Sequence, residues 1–148
     1  MILLDTNLLT RMTRPLDPQC GIARAAINAC RARGDRLVIV PQNLYEFWAV
    51  ATRPPGPPPA GSNGLGMTTA QAAQWVRFFK RHFSFVPDHD QLSDRWLALV
   101  EAHRVTGFRA HDVRLVAAMQ CYGINRLLTF NINHFRDLPI SILDPASA

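Results

Sequence analysis

Hydrophobic residues run unbroken through Ile2, Leu3 and Leu4 and stop at Asp5, Thr6 and Asn7. A short apolar run closed by turn-type residues predicts a buried strand whose C-terminal end presents Asp5. Similar short runs predict strands at 37–40, 83–86 and 126–130, with an edge strand at 141–143. Between them the apolar spacing lengthens to that of helices. Ile22, Ala25, Ala26 and Ala29 mark a helix over 18–33, and Gly34 is its stop signal. A short helix at 7–12 is stopped by Pro15, and Pro41 suits the first turn of a helix over 41–52. Thr68 or Thr69 caps a helix that runs to His82, and another spans 91–105. The helix at 112–122 is almost wholly apolar, hence buried on most sides, and Gly123 ends it. Strands alternating with helices predict an α/β fold, a parallel sheet covered by helices on both faces. There is no internal repeat.

The 148 residues are about one domain's worth, so a single domain over 1–148 is expected. Residues 53–66 hold five prolines and four glycines and read as a surface loop, with too little chain before them for a separate domain. Nearly half the residues are hydrophobic and 18% charged, which excludes a disordered chain. No window approaches the roughly 18 apolar residues of a membrane span, and Asp5 interrupts the apolar N-terminus before it can serve as a signal peptide. The expectation is a cytoplasmic protein with no membrane segment. Cys20, Cys30 and Cys121 are odd in number and match no metal-ligand spacing, so they read as reduced, mostly buried thiols.

Charge adds a partner class. The net charge is +5 with a pI near 9.9, and every cation except Lys80 is arginine. Guanidinium groups bind phosphate bidentately and stack on bases, which suits a nucleic-acid surface; solvated helix faces are the bland alternative. The sequence offers three basic clusters: Arg24, Arg31, Arg33 and Arg36; Arg77, Lys80 and Arg81; and Arg104, Arg109 and Arg114.

Three acids stand out by position. Asp5 follows strand one, where open parallel sheets bind their ligands. Glu46 is the only acid between Asp35 and Asp88, and it borders the apolar stripe Leu44, Phe47, Trp48 and Ala51. A carboxylate there needs a cation, hydrogen bonds or solvent. Asp112 opens the apolar helix, where it would also serve as a cap, as Asp5 would for the first short helix. In a parallel sheet all three converge on one crevice. Oxygen ligands without a cysteine or histidine cage favour Mg2+ or Mn2+, and such ions suit phosphodiester hydrolysis. Thr129 and Asn131, two residues apart after strand four, point the same way and are candidates to hold a metal-bound water; a turn that satisfies its own backbone is the alternative.

Leu3-Leu4-Asp5-Thr6-Asn7, the run from Gln42 through Glu46 to Pro54, Asn63-Gly64-Leu65-Gly66, Ala110-His111-Asp112 and Leu128-Thr129-Phe130-Asn131 together resemble the PIN-domain ribonucleases, specifically VapC-like toxins. The resemblance covers essentially the whole chain in order. It implies a three-layer α/β/α sandwich around a parallel sheet of about five strands. It also implies an Mg2+ or Mn2+ site of Asp5, Glu46 and Asp112, cleavage of an RNA substrate, a homodimer, and a cognate antitoxin whose C-terminal segment covers the acidic crevice. In the family a fourth acid often stands where this chain has Asn131, which argues for one tightly held ion; Asp94 and Asp137 are weaker substitutes. Asp5 and Asp112 would carry the ion, Glu46 would bind it or orient the nucleophile, and Asn131 and Thr129 would fix outer-shell water. His111 is expected to turn away from Asp112.

Two other classes fit parts of the pattern. An aspartyl phosphatase of haloacid-dehalogenase type also places an aspartate after strand one, but wants a second acid where this chain has Asn7. A non-catalytic RNA-binding module would keep the fold, and Asn131 is its best support.

Overall fold

The computed structural model describes residues 1–56 and 64–148, so the middle of the expected 53–66 loop, with Asn63, lies outside the described residues. Five parallel strands form one sheet: β1 (Ile2–Leu4), β2 (Leu37–Ile39), β3 (Ser84–Phe85), β4 (Arg126–Leu128) and β5 (Ser141–Leu143). Their order is β3-β2-β1-β4-β5. Ile2 pairs with Leu37 on one side and Arg126 on the other, which fixes the register of the centre.

Strand alternation sorts the core into two layers. Ile2, Leu4, Leu37, Ile39 and Leu128 face one cluster, packed by α1 (Thr6–Met12), α2 (Pro18–Ala32), α3 (Pro41–Thr52) and α4 (Thr69–His82). Leu3, Val38, Val40 and Leu127 face the other, packed by α5 (Leu92–Ala102) and α6 (Arg109–Cys121), with Phe135 of the short α7 (Ile132–Phe135). The α/β/α sandwich is thus a direct result of the period of two in each strand.

Several boundaries move from their expected places. The strand expected at 83–86 contracts to two residues, and that at 126–130 stops at Leu128, where the Thr129 side chain bonds to Asp5 and Phe130 packs against the core. Helix α5 ends at Ala102 and is followed by Arg104 in the left-handed region. Helix α6 begins three residues before Asp112, so Asp112 is not its cap; it lies in the first turn, where the helix dipole still favours a negative charge. Asp5 does occupy the N-cap position of α1, which starts at Thr6 rather than Asn7. The Thr68 cap on α4 stands, its hydroxyl accepting from Gln71 N–H while the Gln71 amide accepts from Thr68 N–H.

One fully buried side chain ties α3 to the sheet. Asn43 Oδ1 accepts from Val40 N–H at 2.8 Å, and Nδ2 donates to Leu4 C=O at 3.0 Å and Thr6 Oγ1 at 3.3 Å. Replacing it with alanine leaves a buried donor and acceptor unpaired, so Asn43→Ala is expected to cost about 2–4 kcal/mol in urea unfolding. A loss below about 1 kcal/mol would show that water satisfies these groups instead.

Candidate active site

The sheet order reverses between β1 and β4: β2 and β3 were added on one side, β4 and β5 on the other. At such a switch point the loops leave in opposite directions and open a crevice beyond the strands' carboxyl ends. Asp5 leaves β1 there and Thr129 leaves β4, and they meet across the gap: Thr129 Oγ1 donates to Asp5 Oδ2 at 2.5 Å. Asn7 Nδ2 donates to the same oxygen at 2.7 Å. Asp5 is only 7% exposed.

Glu46 enters from α3. Its Oε2 accepts from Thr6 Oγ1 at 2.6 Å and its Oε1 from Gln42 Nε2 at 2.7 Å, one helical turn back. Gln42 also donates to His111 C=O and accepts from Arg114, so it joins α3 to the first two turns of α6. Asp112 enters from α6, and His134 Nδ1 stands 3.1 Å from its Oδ2. Asp5, Glu46, Asp112 and Asn131 all line one cleft of about 750 Å³.

The three acids feel one another. Burial pushes the Asp5 carboxyl up to about 6; the Thr129 hydroxyl opposes this, and the charges of Glu46 and Asp112 add to the rise. Burial also raises Asp112, against the pull of His134. Among the described residues no cation lies within ion-pair distance of Asp5 or Glu46, and Asp112 pairs only with His134. The carboxylates are turned toward their protein donors, so as they stand no three acidic, histidine or cysteine side chains among the described residues form a closed ligand cage.

The remaining expected residues sort cleanly. Thr129 is fully buried, and its hydroxyl is committed to Asp5, Asn7 and Asn131 N–H rather than free for water; Asn131 is exposed on the cleft wall. His111 is exposed beside a different pocket, as expected. Trp48, placed in the core stripe by its spacing, is 37% exposed because it lies at the edge of the α3 face that Phe47 buries. Asp94 and Asp137 stay out of the cleft; Asp137 pairs with Arg109 at 2.6 Å, which lowers its carboxyl. Sequence reading missed Gln42 and His134 as partners of the acids. Only Gln42, four residues before Glu46 on a helix, carried a signal.

No family model matches the chain. It is 27% identical over 156 aligned positions to ribonuclease VapC24 of Mycobacterium tuberculosis, covering 100% of this chain and 99% of the relative. Among solved structures, a toxin–antitoxin complex from Klebsiella pneumoniae superposes with a TM-score of 0.67 at 18% identity, with all of both chains covered. VapC20 of M. tuberculosis, described as a sarcin–ricin loop cleaving toxin, matches at 0.67 and 13% identity over 95% of this chain and 97% of that one. The chain has a PIN-like fold and is similar over its whole length to a VapC ribonuclease.

In this PIN-like fold two of the three expected basic clusters are mostly spent on the protein itself, while Arg77 and Arg81 make no hydrogen bond or ion pair among the described residues. Arg24 donates to Met12 C=O, Arg31 to His82 C=O and Arg36 to Ser84; Arg33 and Arg126 share Asp35; Arg114 holds Asp88. The guanidinium groups on the acidic cleft are instead Arg11, Arg14 and Arg53, which belong to none of those clusters. Local density along the chain did not predict convergence in space.

The raised Asp5 carboxyl fixes a pH dependence. Between about pH 3.8 and 6 the folded protein keeps a proton that the unfolded chain has released, so stability falls as pH rises through that window. At ~1.4 kcal/mol per pH decade the difference is on the order of 3 kcal/mol. Denaturation curves from pH 4 to 7 in chelator are expected to decline less for Asp5→Asn than for wild type by about that amount. Parallel profiles would show that Asp5 is not desolvated.

Proposed function

We propose that this protein is a cytoplasmic Mg2+- or Mn2+-dependent endoribonuclease, the toxin of a toxin–antitoxin pair. The observation that carries the reading is that Asp5, Glu46 and Asp112, from three separate elements, line one cleft at the switch point with no arginine or lysine pairing to any of them among the described residues. The names of the similar proteins point the same way: one is a ribonuclease, one a sarcin–ricin loop cleaving toxin, one a toxin–antitoxin complex.

The donor set fits a hard divalent cation. It consists of carboxylate oxygens, with the Asn131 amide nearby and no thiolate. Asp5 and Asp112 would hold the ion, with Glu46 as a third ligand or as the group that faces the nucleophile. When bound, the ion makes a water more acidic and neutralises charge developing on the phosphoryl group. Thr129 and Asn7 keep Asp5 in one rotamer, and Thr6 and Gln42 do the same for Glu46. Glu46, only partly buried, orients the attacking water or accepts its proton. Asn131, exposed on the wall, fixes an outer water; a neutral amide there supports one tightly held ion. An antitoxin whose C-terminal segment covers the cleft would block all of these groups at once, and a homodimer is the expected assembly.

Purified wild type is expected to cut single-stranded RNA with Mg2+ and to stop with chelator. Asp5→Asn and Asp112→Asn are each expected to lose at least ~100-fold in rate while remaining folded by circular dichroism. Intact RNA under every condition would overturn the nuclease reading in favour of a binding module, and cleavage unaffected by either substitution would place the chemistry elsewhere.

A further inference from the structure

The cleft is lined by groups of both charges. Farther along the elements that carry Asp5 and Glu46, its lining includes Arg11 of α1, Arg14 just after that helix and Arg53 just after α3, which form a basic rim. We propose that this rim is the seat of an RNA phosphate neighbouring the scissile one, so that Arg11, Arg14 and Arg53 set where the strand lies across the acids. The inference rests on the nuclease reading and adds a binding register to it.

Arg11 and Arg14 are held by one carboxylate. Asp17 Oδ2 lies 3.1 Å from Arg11 and 3.3 Å from Arg14, and its side chain is only 10% exposed. Asp17 is itself fixed as the N-cap of α2, accepting from Gln19 N–H at 2.8 Å. One acid thus orients two guanidinium groups while cancelling only one of their charges. Arg11 also has a buried Nε–H with no partner, the one such side-chain atom among the described residues. The side chains of Arg11 and Arg14 as a whole stay 34% and 44% exposed, so their terminal N–H groups rather than the sealed Nε–H are the donors open to a phosphate oxygen.

Arg53 reaches the rim through backbone packing. Its carbonyl accepts from Gly66 N–H at 3.0 Å, and a Cβ on Gly64 would collide with that carbonyl oxygen, so only glycine fits at position 64. Many arginines elsewhere are bound to carbonyls and carboxylates away from the acids, whereas these three line the same cleft as Asp5, Glu46 and Asp112. Acids and arginines in one cleft divide the work: the acids act at one phosphate and the rim grips another.

The test measures binding in the Asp5→Asn background, where turnover does not interfere, using fluorescein-labelled single-stranded RNA and anisotropy at several salt concentrations. Arg14→Ala, Arg53→Ala and Arg11→Lys are compared with Arg36→Ala, which changes an exposed arginine bonded to Ser84. Arg11→Lys keeps the charge beside Asp17 and removes the fork, so it avoids stranding that acid. Each rim variant is expected to bind ~10-fold more weakly. The two alanine variants should each lower the slope of log affinity against log salt by ~0.7, while Arg36→Ala binds as the parent does. Parent-like affinity and slope in all three rim variants would overturn the inference while leaving the nuclease reading intact if wild type cuts RNA. If wild type binds RNA without cutting it, the nuclease reading fails and the rim is still judged by these affinities; if the parent binds no RNA, both fall.

Discussion

A carboxylate held out of water beside two others is costly to ionise, and this cost is the constraint around which the site is organised. Asp5 is almost fully buried, which is the main reason its ionisation is costly, and the half-buried Glu46 and Asp112 beside it add to that cost. A protein seeking stability alone would replace such a set with apolar side chains or pair each acid with an arginine. Neither has happened here, although fifteen arginines are available and one of them, Arg114, reaches Gln42 without touching Glu46.

The fold holds these acids with neutral donors instead. Hydroxyls and amides orient a carboxylate without cancelling its charge, and every such donor comes from an element that the sheet positions. Thr129 leaves β4, Thr6 and Asn7 open α1, and Gln42 stands one turn before Glu46 on α3. Asn43 then locks the start of α3 to the end of β1, so the two acids nearest each other in the topology move as one body. Orientation without neutralisation is what a cation site requires of its supporting shell.

Much of this was legible in the chain because it depended on local pattern. The short apolar runs before Asp5 and Pro41 and the run expected at 126–130 located the strands, though the last ends at Leu128, and helical spacing in α2 and α3 marked their buried faces. The short α7 was missed because four residues carry no period, and Asp112 was misread as a cap because nothing in Arg109, Ala110 and His111 announces a helix start. Arg11, Arg14 and Arg53 were overlooked as a group because convergence depends on strand order. Arg11 lies on α1 and Arg14 just after it, and Arg53 is brought beside them by packing of α1 against α3. Contacts such as His134 with Asp112, twenty-two residues apart, leave no trace in spacing.

The central claim is that the cleft's negative charge is there to be shared by a divalent cation, and the most direct measurement is calorimetric titration of Mn2+ into the wild-type protein and into Asp5→Asn, Glu46→Gln and Asp112→Asn. The account predicts one ion bound per chain by the wild type, with affinity falling by ~10-fold or more in the Asp5 and Asp112 variants. Absence of binding to the wild type, or binding unchanged by all three substitutions, would contradict it.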